Sequence, residues 1–473
     1  MAAAFGYQLV FRVLGMIASI VTVALTVRHL GGDSYGHLTT AIVFISLWTS
    51  FTELGIGAVI VRRVTSGDGD LERLVRINTG LSLVYGIPLT VVATASGLLV
   101  YAGQDEVVAI LPIVAIGLAL TTVGSCVQPV FLATVRFKAV AWSDVVSRAL
   151  SLVTTLVLLQ TDAGIVWFAV VQVVPPLVVL VVQGVAASRI LSWRPVFAWR
   201  ESCDLLRESL PQTAVLIIGV LYWRIDGVML SLLDTPLQVG TYYLATTLAF
   251  TLSIVPTFFA TSTLSTMTGL WSSDRERFST FTARSIETMM FVGAPIAVVG
   301  LVLSGPVMHM IGSAEFAEDG TPTLAILFAA VGVTFLNGTV SQALFASHQQ
   351  AFLVRLNVAN LAVNIALNLA LIPMWGAAGA AVALLVTELI GQVVASWKLS
   401  RHSTYRTPWT FATRLLPSLA VAAGTAQLLR PAPVLVALAG AALAYGAANI
   451  VLGPVTVRTI RAMLSGADEV TTS

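Results

Sequence analysis

PQTAVLIIGVLYWRIDGVMLSLLDTPLQVGTYYLA, residues 211–245, decides how the chain is read. About two dozen residues from Leu210 to Leu233 form a run apolar enough to cross a bilayer. Near its middle stand Arg224 and Asp226. A charge at the centre of a membrane helix costs roughly 2.5–3.5 kcal/mol on insertion scales. A helix with two such residues is expected to turn them toward a partner or a wet cavity. At about 100° per residue the two project about 200° apart, so one helix cannot aim both at one small spot. The run lies near the midpoint of the chain, which makes it a candidate opening for a second helical bundle.

Outward from that stretch, apolar runs follow one another from end to end. Of 473 residues, 57% are hydrophobic and only 10% charged, against about 25% charged in an average globular protein. The fold class implied is an all-α polytopic membrane protein with about 14 transmembrane helices, arranged as two six-helix bundles plus two C-terminal helices. The first candidate span, 5–27, is too long for a signal h-region and lacks a small-residue cleavage site, so it reads as retained. Expected divisions are an N-terminal six-helix bundle at 1–187, a cytoplasmic linker at 188–209, a second bundle at 210–400, and two extra helices with a cytoplasmic tail at 401–473. A weak repeat supports the two bundles. GHLTTA at 36–41 follows the first span, and GTYYLA at 240–245 follows the seventh. Such repeats are a common plan for secondary transporters, with the site between them.

Charge placement predicts orientation. Twenty of the 25 Lys and Arg residues fall in alternate loops and the C-terminal tail, two (Arg28 and Arg430) in the opposite loops, and three within spans. By the positive-inside rule both termini are expected in the cytoplasm. The opposite loops are short, the longest being 304–322, which argues against a glycosyltransferase or polymerase built on a large external domain. No GxxxxGK[ST] phosphate loop is present, so no built-in ATPase is expected. Cys126 lies in an apolar run and Cys203 in a basic loop, a placement that suits neither a disulfide nor a metal site.

Four pieces of sequence resemble a known family. Leu30-Gly-Gly-Asp-Ser-Tyr-Gly36 is similar to its turn after span one, and Glu53-Leu-Gly-Ile-Gly57 to its end of span two. Arg224-Ile-Asp226 with Val239-Gly-Thr-Tyr-Tyr243 resembles its span-seven pattern. Asn368-Leu-Ala-Leu-Ile-Pro-Met-Trp-Gly376-Ala-Ala-Gly379-Ala-Ala381 resembles its junction of spans eleven and twelve. The family is the polysaccharide flippase branch of the multidrug/oligosaccharidyl-lipid/polysaccharide exporter superfamily. The resemblance implies a non-enzymatic carrier in the bacterial inner membrane. It would move an undecaprenyl-pyrophosphate-linked oligosaccharide by alternating access through a cationic cavity. Its partners would be the lipid-linked glycan, membrane lipids and polysaccharide-assembly proteins, with no nucleic acid. No cofactor is implied beyond H+ or Na+ as coupling ion. The competing readings are a multidrug or cation antiporter of the same superfamily and a membrane-embedded glycosyltransferase or polymerase.

Eight charged side chains fall within the expected spans: Arg12, Glu53, Asp144, Arg148, Arg224, Asp226, Glu287 and Glu388. Facing lipid at the midplane, all eight together would cost about 20–28 kcal/mol, so most must be paired, near an interface or wet. Asp144 and Arg148 are spaced i, i+4 and suit an ion pair. Arg12 and Arg224 are candidate cavity residues, because guanidinium binds pyrophosphate oxygens bidentately and stays charged. Their alternative is structural pairing with Glu53 or Glu388. Glu53, Asp226 and Glu388 are the candidate coupling or orienting acids. Asn357, Asn360, Asn364 and Asn368 form one helical stripe. It suits either sugar hydroxyls, with Asn357, Asn360 and Asn364 as substrate contacts, or interhelical hydrogen bonds.

Overall fold

The computed structural model describes residues 2–454, with side chains from Leu14 onward. Arg12 is therefore placed on a helix with its side chain outside the described residues, as is the tail carrying Arg458 and Arg461. Every regular element among the described residues is helical. The first ten are α1 (Ala2–Leu47), α2 (Ser50–Glu53), α3 (Ile56–Thr65), α4 (Leu71–Val100), α5 (Asp105–Ser125), α6 (Gln128–Ala133), α7 (Lys138–Gln160), α8 (Ile165–Val171), α9 (Val174–Ser188) and α10 (Trp199–Leu233). Then follow α11 (Pro236–Phe250), α12 (Ile254–Ser273), α13 (Arg275–Ile311), α14 (Ala314–Ala346), α15 (Gln350–His402), α16 (Trp409–Leu428) and α17 (Val434–Leu452).

Eleven helical stretches among the described residues are long and apolar enough to cross a membrane. Two of them, Leu14–Thr65 and Gln350–His402, run for 52 and 53 residues. Straight, each would be about 78 Å long, against a hydrocarbon core of about 30 Å. Each bends at a glycine outside helical geometry, Gly31 (φ 76°, ψ −179°) in α1 and Gly376 (φ 52°, ψ −129°) in α15. A side chain is strongly disfavoured at such angles, which explains glycine there. The limbs on either side of each bend are long enough to be separate spans. α16 is not among the eleven; Arg414 and its Thr, Ser and Gln residues lower its hydropathy. Dividing the two long stretches and adding α16 yields the expected fourteen spans, a number we retain as a proposal.

The chain forms two compact units, Met1–Leu244 and Ala245–Ser473. In the first, Leu38, Ala41, Phe44 and Ile45 of α1 pack with Ile110, Leu111 and Val114 of α5 and Phe168 of α8. α7 packs on α1 and α9. Arg148 donates from Nε to Asp144 Oδ1 at 3.1 Å, the expected i, i+4 pair, and from Nη1 to Ser19 Oγ of α1 at 2.7 Å. In the second unit α13, α14 and α15 pack in sequence. α16 and α17 rest on α13 through Val299, Leu303, Ala422 and Ala441. α10 contacts α1, α2, α3 and α4, so packing groups the seventh span with the first unit. The six-plus-six-plus-two division concerns repetition of the chain, a separate property, and stays a proposal.

The segment between α9 and α10 is shorter than the linker read from sequence, because α10 begins at Trp199 and carries a polar extension before its apolar run. Val196 N–H donates to Arg76 O at 3.0 Å, and Gly80 leaves room for the Val196 carbonyl. The extension is clasped to the α3–α4 corner. Arg62 and Arg63 both bind Glu208, and Arg73 binds Glu201 at 2.7 Å. Hydrogen bonds from Arg63 and Arg62 hold the Glu208 carboxyl below its ordinary range. A carboxylate with a depressed folded value stabilises the fold above its unfolded value of about 4.3, and that contribution is lost as pH falls through the folded value. We expect the melting temperature of Glu208→Gln to fall less than that of the parent between pH 6 and pH 3. Parallel pH curves for the two proteins would show that the clasp contributes nothing.

Orientation makes a second prediction. Reporters fused after Asp105 and after Asp319 should read external. A cytoplasmic signal at either position would invert the expected arrangement downstream of it.

Candidate functional site

The first unit holds most of the deep charge. Residues 36–61, an apolar stretch of span length, form a broken helix. Leu54 (φ 47°) and Gly55 (φ 64°) are both left-handed and separate α2 from α3. Positive φ at two successive residues interrupts the i→i+4 ladder and strips nearby carbonyls of their helical partners. In a bilayer such groups must find other donors. Three hydroxyls from three helices supply them. Tyr85 of α4 donates to Thr52 O at 2.5 Å, and Ser125 of α5 donates to the same oxygen at 3.1 Å. Thr213 of α10 donates to Leu54 O at 2.6 Å. Leucine in the left-handed region costs roughly 1–2 kcal/mol. Each hydrogen bond contributes about 0.5–1.5 kcal/mol net, so the three together are of the same size as that cost.

Glu53 is the last residue of α2 and is exposed beside this break. α10 passes the break at Gln212 and Thr213, where a Cβ on Gly55 would meet Gln212 Cβ at 2.8 Å. Eleven residues beyond Thr213, about three turns and roughly 16 Å along the same face, stands Arg224. Arg224 is exposed and forms no ion pair among the described residues. Asp226 points the other way, as the 200° separation requires. It is buried and accepts a hydrogen bond from Tyr242 Oη at 3.0 Å. The next residue, Gly227, packs against Val43 of α1, and about a turn further Ser231 Oγ lies 2.6 Å from Tyr101 Oη. The two charges of the opening stretch thus divide their roles: the arginine is open and the aspartate is tied into the packing.

In the second unit Glu388 is 4% exposed. Its Oε2 accepts from Asn337 Nδ2 at 2.7 Å and from Thr334 Oγ1 at 3.1 Å, both on α14. Asn337 also donates to the Glu388 backbone carbonyl at 2.9 Å. The asparagine stripe is mostly enclosed. Asn357 is exposed, whereas Asn360, Asn364 and Asn368 are buried. Asn368 Nδ2 donates to Asn364 Oδ1 at 2.9 Å, and the Asn360 amide packs over Gly391 in the second limb of α15. The Asn364–Asn368 bond lies within one limb of α15, Asn360 meets the other limb at Gly391, and Asn357 is the open member of the stripe.

Sequence reasoning missed the break and its three hydroxyl clamps, the bond from Tyr242 to Asp226, and the Asn337–Thr334 partners of Glu388. Two glycines at 55 and 57 inside an apolar span were the available signal for the break. The hydroxyls carried none, because each comes from a different helix.

The sequence matches the family described as "Polysaccharide biosynthesis protein" over residues 2–268. A probable flippase, AglR of Haloferax volcanii, is 25% identical over 176 residues, which are 37% of this chain and 37% of that relative's length. Among solved structures, the lipid II flippase MurJ in an inward closed conformation superposes with a TM-score of 0.79. That match has 12% identity and covers 94% of this chain and 98% of the other. An inward-facing multidrug resistance MATE family transporter of the MOP superfamily superposes at 0.67 with 13% identity, covering 83% and 98%. At these identities the likeness to solved structures concerns the fold.

Proposed function

Because the chain belongs to the polysaccharide biosynthesis protein family, we propose that this multi-pass membrane protein is a flippase for an undecaprenyl-pyrophosphate-linked oligosaccharide. It works by alternating access in the bacterial inner membrane with both termini cytoplasmic, serves assembly of surface polysaccharide, and performs no covalent chemistry. Arg224 carries the reading: it is a guanidinium deep in a membrane helix, exposed and free of carboxylate partners within 4.0 Å among the described residues. Such a group needs an anion or water, and a pyrophosphate offers several oxygens to its planar fork. Arg12 would join it from α1. Asn357 would meet sugar, with Asn360 and Asn364 behind it. Glu53 is the exposed acid and the first candidate for H+ or Na+ coupling, with Asp226 and Glu388 orienting neighbours.

The test is reconstitution. Purified protein in vesicles should carry a fluorescent pyrophosphate-linked oligosaccharide between leaflets, measured as protection from an external reagent. Export of organic cations without glycan transfer would replace this reading with the antiporter.

A further inference from the structure

We propose that the break in residues 48–58 is a hydrogen-bond switch, and that Tyr85, Ser125 and Thr213 are positioning residues that aim Glu53 by holding it bent. The inference rests on the alternating-access reading for its purpose, and on the break alone for its geometry.

Two of the three hydroxyls have a second acceptor on their own helix. Thr213 Oγ1 lies 2.6 Å from Leu54 O and 3.0 Å from Ser209 O. Ser125 Oγ lies 3.1 Å from Thr52 O and 2.8 Å from Thr122 O. A hydroxyl has one proton to donate, so each shares it between the broken span and its own helix. Straightening the break would give Thr52 O and Leu54 O helical donors, the N–H groups of Ile56 and Ala58. Ser125 and Thr213 would then fall back fully on Thr122 and Ser209. Thr52 O and Leu54 O thus have a donor in either form, as carbonyls in a membrane require.

Two features bias the balance in opposite directions. Straightening relieves the left-handed Leu54 (φ 47°). Bending adds the Tyr85 bond to Thr52 O and the close seat of Gly55 on Gln212. Tyr85 is therefore the lock, and Gly55 permits the bent form. Glu53 sits one residue before the break, so its direction turns with the switch.

The experiment is hydrogen–deuterium exchange of the purified full chain, read at the amides of residues 55–58. Tyr85→Phe removes the lock. Gly55→Ala burdens the bent form alone, through positive φ and contact with Gln212. Both variants should slow exchange at these amides about tenfold or more, because straightening gives them helical acceptors, and both should keep the parent melting temperature to within a few degrees. A clamp that merely supports packing predicts faster exchange and a lower melting temperature. Unchanged or faster exchange in either variant, or loss of folded protein in both, would overturn the switch. Exchange needs no substrate, so this result stands apart from the outcome of the glycan transfer assay.

Discussion

Replacing Arg224 by alanine is expected to weaken the apparent affinity for the lipid-linked glycan about 10- to 150-fold. Charge-assisted hydrogen bonds contribute roughly 1.5–3 kcal/mol, and each 1.4 kcal/mol is tenfold. Exposure and the absence of an ion-pair partner among the described residues mean that alanine strands no buried carboxylate. The melting temperature should therefore hold while transfer falls. Arg224→Lys should recover part of the loss, since an ammonium keeps the charge without the fork. Arg12→Ala should behave like Arg224→Ala. Asp226→Ala makes the contrast, because it removes a buried carboxylate bonded to Tyr242 and should lower stability first. Concentration-dependent transfer in vesicles, with a melting curve for each variant, separates these outcomes. Normal transfer by a well-folded Arg224→Ala protein would remove the arginine from the site. Joint loss of folding and transfer, rescued by neutralising Glu53 or Glu388, would make it a structural partner.

The opposition between Arg224 and Asp226 was legible before any coordinates, because two positions on a helix fix an angle whatever surrounds them. The same holds for Asp144 and Arg148, whose spacing sufficed to predict their pair. The membrane class and the turn glycines were legible as well, since an apolar run can hardly be anything else and Gly31 and Gly376 sit where long runs must fold back. What covers a helical face was not legible. The 3, 4, 4 spacing of the asparagines showed that they share a face, but the burial of Asn360, Asn364 and Asn368 depends on neighbouring segments that the spacing does not name. Hydropathy is continuous across Leu54 and Gly55, so a search for apolar length passes over a break that side chains from α4, α5 and α10 satisfy. The start of α10 was missed for the opposite reason. Its first turns are polar, and their acids Glu201 and Glu208 find arginines more than 120 positions away in sequence.

Glycine substitutions should show how closely the first unit is packed. A Cβ added to Gly36 would fall 2.0 Å from the Pro236 carbonyl oxygen and 2.3 Å from its carbon. Both obstacles are backbone, so no rotamer change relieves the clash and α1 must part from the start of α11. Overpacking typically costs 1–3 kcal/mol, and a backbone-to-backbone clash belongs at or above the top of that range, so Gly36→Ala should destabilise by about 3 kcal/mol or more. Gly31 is different. Nothing lies within 4 Å of its added Cβ, yet φ is 76° with ψ −179°, so alanine there incurs backbone strain alone, roughly 1–3 kcal/mol. Gly219, inside α10, has neither obstacle. There alanine should stabilise by up to about 1 kcal/mol through helix propensity. The same added methyl group is thus expected to act with opposite sign at positions 36 and 219, which a general intolerance of the membrane domain to mutation cannot produce. Melting in detergent, followed by tryptophan fluorescence and checked by size-exclusion profile, reads all three variants. A Gly36→Ala protein melting at or above the parent would mean that α1 and α11 do not approach as closely as the carbonyl contact requires.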